Sequence, residues 1–193
     1  MPRPKSDYLF FWRPQNTHGW ASQWYLSPFT APLSAAIPHA SSTPHTFPTA
    51  EHWMMACKAA LFSDTATLEL ILEENTKSNT DPKDIKALGR RISPFDDKTW
   101  VEHREEIVYL GNLYKFGQDE GLKKTLLETS DLILVEASPR DRVWGIGFGE
   151  ARAMSEKERW GLNLLGNALM RVREEFAKQE QEQDPKAEAK LEL

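Results

Sequence analysis

The chain has 193 residues, 24 Lys and Arg against 29 Asp and Glu, a formal net charge of -5, seven Trp and one Cys. This length supports one folded domain with its own core, and the single Cys57 excludes an internal disulfide and suits a reducing compartment, cytoplasm by default with the nucleus also open. The acidic balance excludes broad electrostatic binding of nucleic acid, and the apolar run Tyr8 to Trp12 is too short for a signal-peptide core or a membrane span.

Residues 8–12 and 24–30 are aromatic-rich and predict two short strands, separated by a turn-prone segment from Arg13 to Gly19. From 31 to 45 Pro, Ser, Ala and Thr dominate, which predicts an irregular loop with a mobile tip. Its His39 and His45 have no Cys or Asp at ligand spacing, so no metal site is expected. Pro48 and Thr49 then form a helix start, with Thr49 as the cap and the helix running from near Ala50 to Phe62. At about 100° per residue, Trp53, Ala56, Cys57, Ala60 and Leu61 make one apolar face. Glu51, Met55, Lys58 and Phe62 fall on the opposite stripe, and that mixture of acid, base and apolar groups reads as a pocket wall.

Ser63-Asp64-Thr65 is a plausible cap for a helix over 65–74, and Asp81-Pro82 starts another that runs through Ile85 and Leu88 to Gly89-Arg90-Arg91-Ile92. Trp100, Arg104, Ile107, Gly111 and Tyr114 recur at spacings of 4, 3, 4 and 3, predicting a long helix over 98–116 in which Gly111 permits close packing. A short helix over 121–128 precedes Leu132 to Val135, an apolar run expected to be a strand buried on both faces. The glycine-rich 144–149 segment is offset from that strand by a Ser-Pro turn and lacks a surrounding βαβ pattern, so a dinucleotide fold is not supported. A last helix over 157–177 would bury Leu162, Leu165, Leu169, Val172 and Phe176, with Asn163 and Asn167 one turn apart elsewhere. Residues 178–193 are a charged tail without an apolar stripe, expected to extend the helix or to be disordered.

Four blocks occur in order: Ser22-Gln23-Trp24-Tyr25-Leu26-Ser27-Pro28-Phe29, Phe47-Pro48-Thr49-Ala50-Glu51-His52-Trp53, the run from Glu136 through Ser138-Pro139-Arg140-Asp141-Arg142-Val143-Trp144-Gly145 to Gly147, and Asn163 to Met170. Together with Gly89-Arg90 and Trp100 they resemble the NADAR family, also called YbiA-like N-glycosidases, over Phe10 to Glu175. The resemblance implies a single compact α+β domain, predominantly helical, within residues 1–177, that hydrolyses N-glycosidic bonds. Members are linked to phosphoribosyl intermediates of riboflavin synthesis and to removal of ADP-ribose from guanine in nucleic acid. This chain departs from the pattern at Gln23, where many relatives have Asn, and in the long 31–45 loop, where they have a tight turn. Both lie near the expected pocket entrance and bear on substrate choice.

Breaking a ribose C1–N bond builds positive charge on the sugar and negative charge on the base, so a site needs a carboxylate, a proton source and phosphate anchors. Glu51 is the first candidate carboxylate, although an acid there also complements a helix N-terminus. Lys58, two turns on, is a candidate nucleophile through a Schiff base, with a phosphate or base contact and a plain ion pair as the other readings. Asp141 is either a second catalytic carboxylate and ribose ligand or the cap of its own turn; Trp144, beside Gly145, either stacks on the base or belongs to the core. Arg90 suits phosphate through its planar fork, or serves as a helix C-terminal cation. Trp24 and Trp100 offer stacking surfaces or core rings, and Asn163 offers an amide to the sugar or a helix-packing bond.

The expected activity is release of ADP-ribose from guanine in nucleic acid or nucleotides. Hydrolysis of riboflavin-pathway ribosylaminopyrimidine phosphates is the enzymatic alternative, and a non-catalytic module that binds NAD or ADP-ribose is a third. No metal, cofactor, membrane or protein partner is expected.

Overall fold

The computed structural model describes residues 3–183. In chain order these form β1 (Tyr8–Phe11), β2 (Phe29–Pro32), β3 (Pro44–Phe47), α1 (Ala50–Leu61), α2 (Thr65–Glu74), α3 (Pro82–Gly89), α4 (Asp97–Gly117), α5 (Glu120–Leu127), β4 (Ile133–Glu136), α6 (Glu150–Ala153) and α7 (Leu164–Gln183), a predominantly helical α+β arrangement. Three helix starts are set by aspartates whose carboxylates take backbone N–H groups of the first turn: Asp64 from Thr67, Asp81 from Lys83 and Asp96 from Thr99. Asp64 also accepts from the Ser93 N–H at 2.9 Å, and these bonds hold its carboxyl below the usual carboxylate range.

Two compact units result, one of residues 11–119 and one of the chain up to Phe10 together with the chain from Glu120 on. In the first, α1 packs against α2, α3 and α4. Trp53 is its centre, fully buried, edge-on to Phe47 at 5.3 Å between centroids, with its indole N–H donating to the Ile107 carbonyl at 2.8 Å. Gly111 passes so close that a Cβ there would lie 2.3 Å from Trp53 Cδ1, which is the close packing its position in the sequence predicts.

The predicted strand over 24–30 is shorter and later than expected. Only Phe29–Pro32 pairs, antiparallel to Pro44–Phe47 with Phe29 opposite Phe47. Within 24–28 the backbone N–H groups have other partners: Trp24 donates to the Ser22 hydroxyl at 3.2 Å, Tyr25 to the Ser22 carbonyl at 3.1 Å and Ser27 to the Pro48 carbonyl at 3.2 Å. Just before them, the fully buried Lys115 donates to the carbonyls of Trp20 at 3.0 Å and Ser22 at 3.1 Å, and the Gln23 carbonyl accepts from the Glu51 N–H at 3.0 Å. The 31–45 segment is likewise no free loop, because it contributes strand residues at both ends, a 3-10 turn at Leu33–Ala35 and the buried Leu33 and Ile37.

In the second unit β1 pairs with β4, and Tyr8, Phe10, Val135, Ala137, Ile146 and Ala153 form a core. Trp160 stands edge-on to both Tyr8 and Phe10. β4 buries Leu134 and Val135 fully, while Ile133 and Glu136 at its ends are half-buried. The last helix begins at Leu164, seven residues after the predicted start at 157. Backbone N–H groups from Gly161 to Leu165 donate to carbonyls between Arg142 and Ile146, and Asn163 has φ 52°, so this stretch wraps the 142–146 turn as irregular backbone before the helix begins. Leu162 is consequently exposed, in contrast to its expected place in the apolar stripe. Helix α7 reaches Gln183, which makes the beginning of the charged tail a helix extension; residues 184–193 lie outside the described residues. Among the described residues no helix is long and apolar enough to cross a membrane.

Candidate active site

Helix α1 is buried on almost every side, and its start is held by tertiary bonds in place of the expected cap. The Thr49 hydroxyl pairs with His52 Nδ1 at 2.8 Å, and His52 Nε2 pairs with the Thr80 hydroxyl at 3.0 Å. Burial pushes the His52 pKa down to about 4, against a smaller opposing pull from Glu74, so the ring is neutral at pH 7. The stripe read as a pocket wall is mostly inside: Glu51 is 3% exposed, and Met55 is pressed so closely by Gly89 that a Cβ there would lie 2.0 Å from its sulfur.

Lys58 is half-buried, as is Phe62 at the end of that stripe. Its amine donates to the Gly89 carbonyl at 2.9 Å and lies 4.4 Å from the centroid of Phe95 and 5.5 Å from that of Trp100. Phe62, one turn further, meets Phe95 edge-on at 5.0 Å. The amine thus has a neutral carbonyl and aromatic faces for neighbours in place of the carboxylate of an ion pair. Those faces favour the ammonium, yet burial dominates and lowers the Lys58 pKa from the ordinary lysine value.

Four further predicted residues share this unit. Glu51 precedes Lys58 by two turns, a rise of about 10 Å along the helix. The carbonyl that receives its N–H belongs to Gln23, whose side-chain oxygen accepts from Asn112 Nδ2 at 2.9 Å, while Asn112 also donates to the Val108 carbonyl at 2.8 Å. Trp24 follows directly, half-buried, with the Lys86 amine of α3 5.9 Å from its ring centroid. Arg90 is exposed immediately after the Gly89 carbonyl that holds Lys58. Lys58, Trp100 and the Gly89-Arg90 junction therefore come together, and Trp24 is tied through Gln23 to the helix start that carries Glu51.

The remaining predicted residues lie in the other unit. Asp141 Oδ1 accepts the N–H groups of Val143 and Trp144, both at 2.8 Å, and so organises the turn on which the half-buried Trp144 sits. Gly145 is required by close approach, since a Cβ there would lie 2.7 Å from the Glu136 carbonyl oxygen. Asn163 spends its amide on the scaffold: Oδ1 accepts from the Glu136 N–H at 3.0 Å, and Nδ2 donates to the Leu134 carbonyl at 2.9 Å. It completes the edge of β4 as a neighbouring strand would, and it stands before α7 rather than on it.

Sequence reasoning missed Phe95, Asn112 and Lys115. Phe95 carried a weak signal as an aromatic ring in the polar run Ser93-Pro94-Phe95-Asp96, whereas Asn112 and Lys115 look like ordinary polar positions on a long helix. Among the described residues no group of three or more His, Cys, Asp or Glu is placed to hold a metal ion.

The NADAR domain matches residues 10–177 of the chain. N-glycosidase R617 of Acanthamoeba polyphaga mimivirus is 44% identical over 128 residues, 65% of this chain and 72% of that protein. The chloroplastic riboflavin biosynthesis protein PYRR of Zea mays is 30% identical over 150 residues, 76% of this chain but 22% of that longer protein. In three dimensions the chain is similar to the NMR structure of the E. coli protein YbiA, with a TM-score of 0.66 and 26% identity over 90% of this chain and 86% of YbiA. Matched in sequence from residue 10 to residue 177 and in fold over nine-tenths of its length, the chain belongs to the NADAR family.

Proposed function

We propose that this enzyme, a hydrolase of N-glycosyl bonds, removes ADP-ribose from guanine in nucleic acid or nucleotides, with Lys58 and Glu51 as its reacting groups. The observation that carries the reading is the Lys58 amine, half-buried, lowered in pKa and held among Phe95, Trp100 and the Gly89 carbonyl on the helix that also carries a buried carboxylate. Burial favours the neutral amine, which is the nucleophilic form. Its lone pair bonds to ribose C1 as the C1–N bond breaks, and the departing base takes up a proton with the electron pair. Opening of the C1–O4′ bond and loss of an amine proton give an imine and a sugar hydroxyl. Water then adds to the imine and releases both the amine and the sugar. Glu51 stabilises the positive charge that builds on the sugar, and Arg90 takes a phosphate of the ADP-ribose.

Purified protein incubated with guanine-ADP-ribosylated oligonucleotide is expected to release free ADP-ribose, detected by mass spectrometry. Borohydride should trap a covalent adduct that is missing in Lys58→Ala. Hydrolysis without any adduct in either protein would remove Lys58 as nucleophile, and normal hydrolysis by a folded Glu51→Ala would overturn that carboxylate's role. The likeness to the Zea mays protein favours one second reading, hydrolysis of a riboflavin-pathway ribosylaminopyrimidine phosphate. The same assay run with those intermediates separates the two substrates.

A further inference from the structure

Phe95 is 46% exposed, although it belongs to a segment that is firmly held. Two residues before it, the Ser93 N–H is bound by the Asp64 carboxylate at 2.9 Å, and one residue after it Asp96 takes both the N–H and the hydroxyl of Thr99 at 2.7 Å. Asp64 is itself anchored as the cap of α2 through Thr67. The backbone on both sides of Phe95 is thus fixed by aspartates, and its ring is braced edge-on by Phe62. An aromatic ring with this support is kept out in solvent by the fold, and an exposed ring gains free energy only when something covers it.

The occupant is narrowed by the Lys58 amine, 4.4 Å from the Phe95 centroid and 5.5 Å from the Trp100 centroid. A group seated against these rings lies within reach of the amine, so it belongs to the molecule whose glycosidic carbon the amine attacks. The flat part of that molecule is the base. We propose that Phe95, together with Trp100, forms the stacking subsite for the planar base cleaved from the ribosyl group. This rests on the N-glycosidase reading above and assigns its leaving-group side. Stacking is tolerant of base identity, so the subsite takes planar bases as a class and leaves the finer choice to hydrogen bonds elsewhere.

The test compares a ligand that carries the base with one that lacks it. Affinities of guanine-ADP-ribosylated oligonucleotide and of free ADP-ribose are measured by calorimetry in a Lys58→Met background, which prevents turnover, with Phe95 intact, Phe95→Ala and Phe95→Trp, and with thermal unfolding to verify each fold. Phe95→Ala is expected to weaken the oligonucleotide about tenfold and to leave ADP-ribose within twofold, and Phe95→Trp is expected to restore binding. Equal losses for both ligands, or no loss for either, would overturn the subsite. Failure of the wild type to hydrolyse the oligonucleotide would sink the glycosidase reading, while a base-dependent loss on Phe95→Ala would still support the subsite.

Discussion

Lys58 of α1 donates to the carbonyl of Gly89, the last residue of α3, at 2.9 Å, so the candidate nucleophile is held by the helix end that also presents Arg90. The carbonyl fixes the amine in position without supplying the negative charge that would keep it protonated. Burial is therefore free to lower its pKa from the ordinary value of 10.5.

Hydrolysis should accordingly depend on the neutral amine. Its fraction grows as pH rises towards the lowered pKa, so log kcat/KM should climb with pH and level off at an apparent pKa below 10.5. Lys58→Met should abolish both the rate and the climb. A profile that is flat across the same range, in a protein whose activity still requires Lys58, would assign that residue to binding in place of nucleophilic attack.

Gly111→Ala should destabilise the protein through Trp53. The added methyl would meet Trp53 Cδ1 at 2.3 Å and Nε1 at 2.7 Å, and the indole is fully buried and anchored to the Ile107 carbonyl. A ring so confined has no rotamer to yield into, and overpacking of this kind costs about 1–3 kcal/mol. Urea denaturation should show a lower midpoint with an unchanged slope.

These packing relationships also mark how much was legible in the sequence. Asp64, Asp81 and Asp96 cap helices whose predicted starts agree with those observed to within one residue, because capping is a local interaction. The Gly111 contact was readable from spacing along α4. What was not readable depends on distant partners. The strand expected over 24–30 pairs only from Phe29, because the Ser27 N–H goes to the Pro48 carbonyl and the carbonyls of Trp20, Ser22 and Gln23 just before it are taken by Lys115, more than 90 residues away, and Glu51. The start of α7 is delayed because carbonyls of the Arg142 to Ile146 turn capture the N–H groups of 161–165. At the candidate site, the family resemblance pointed to Glu51 and Trp100, and the helical stripe opposite the apolar face of α1 pointed to Lys58. Phe95 lies outside the family blocks, and its exposure next to Lys58 is visible only once α3 and α4 are packed on α1.

Asp141 offers a direct separation of turn from chemistry. Asparagine keeps a side-chain oxygen for the Val143 and Trp144 N–H groups, whereas alanine leaves both without it. Asp141→Asn should therefore retain the stability, and Asp141→Ala should lose about 1 kcal/mol of it. Loss of hydrolysis in a fully stable Asp141→Asn would instead make the carboxylate charge part of the reaction. Activity and thermal unfolding measured on the same preparations decide between the two.

Lys115 gives the protein a distinctive dependence of stability on pH. Its amine is fully buried, faces the rings of Tyr25 and Phe116, and donates to the Trp20 and Ser22 carbonyls; burial lowers its pKa to about 7, against an opposing pull from Asp119. Below pH 7 the lysine is protonated whether the chain is folded or not, and the folded state bears the full penalty of a buried charge. Between about pH 7 and the ordinary lysine value of 10.5, the unfolded chain keeps a proton that the folded chain has released, so stability rises with pH across that window. Lys115→Met removes this dependence and leaves two buried carbonyls without their donor, at about 1–3 kcal/mol each. The variant should therefore be destabilised less, relative to the wild type, at pH 6 than at pH 9. Urea denaturation of both proteins at the two pH values measures the difference, and a gap that stays constant would mean that the buried amine keeps its proton throughout.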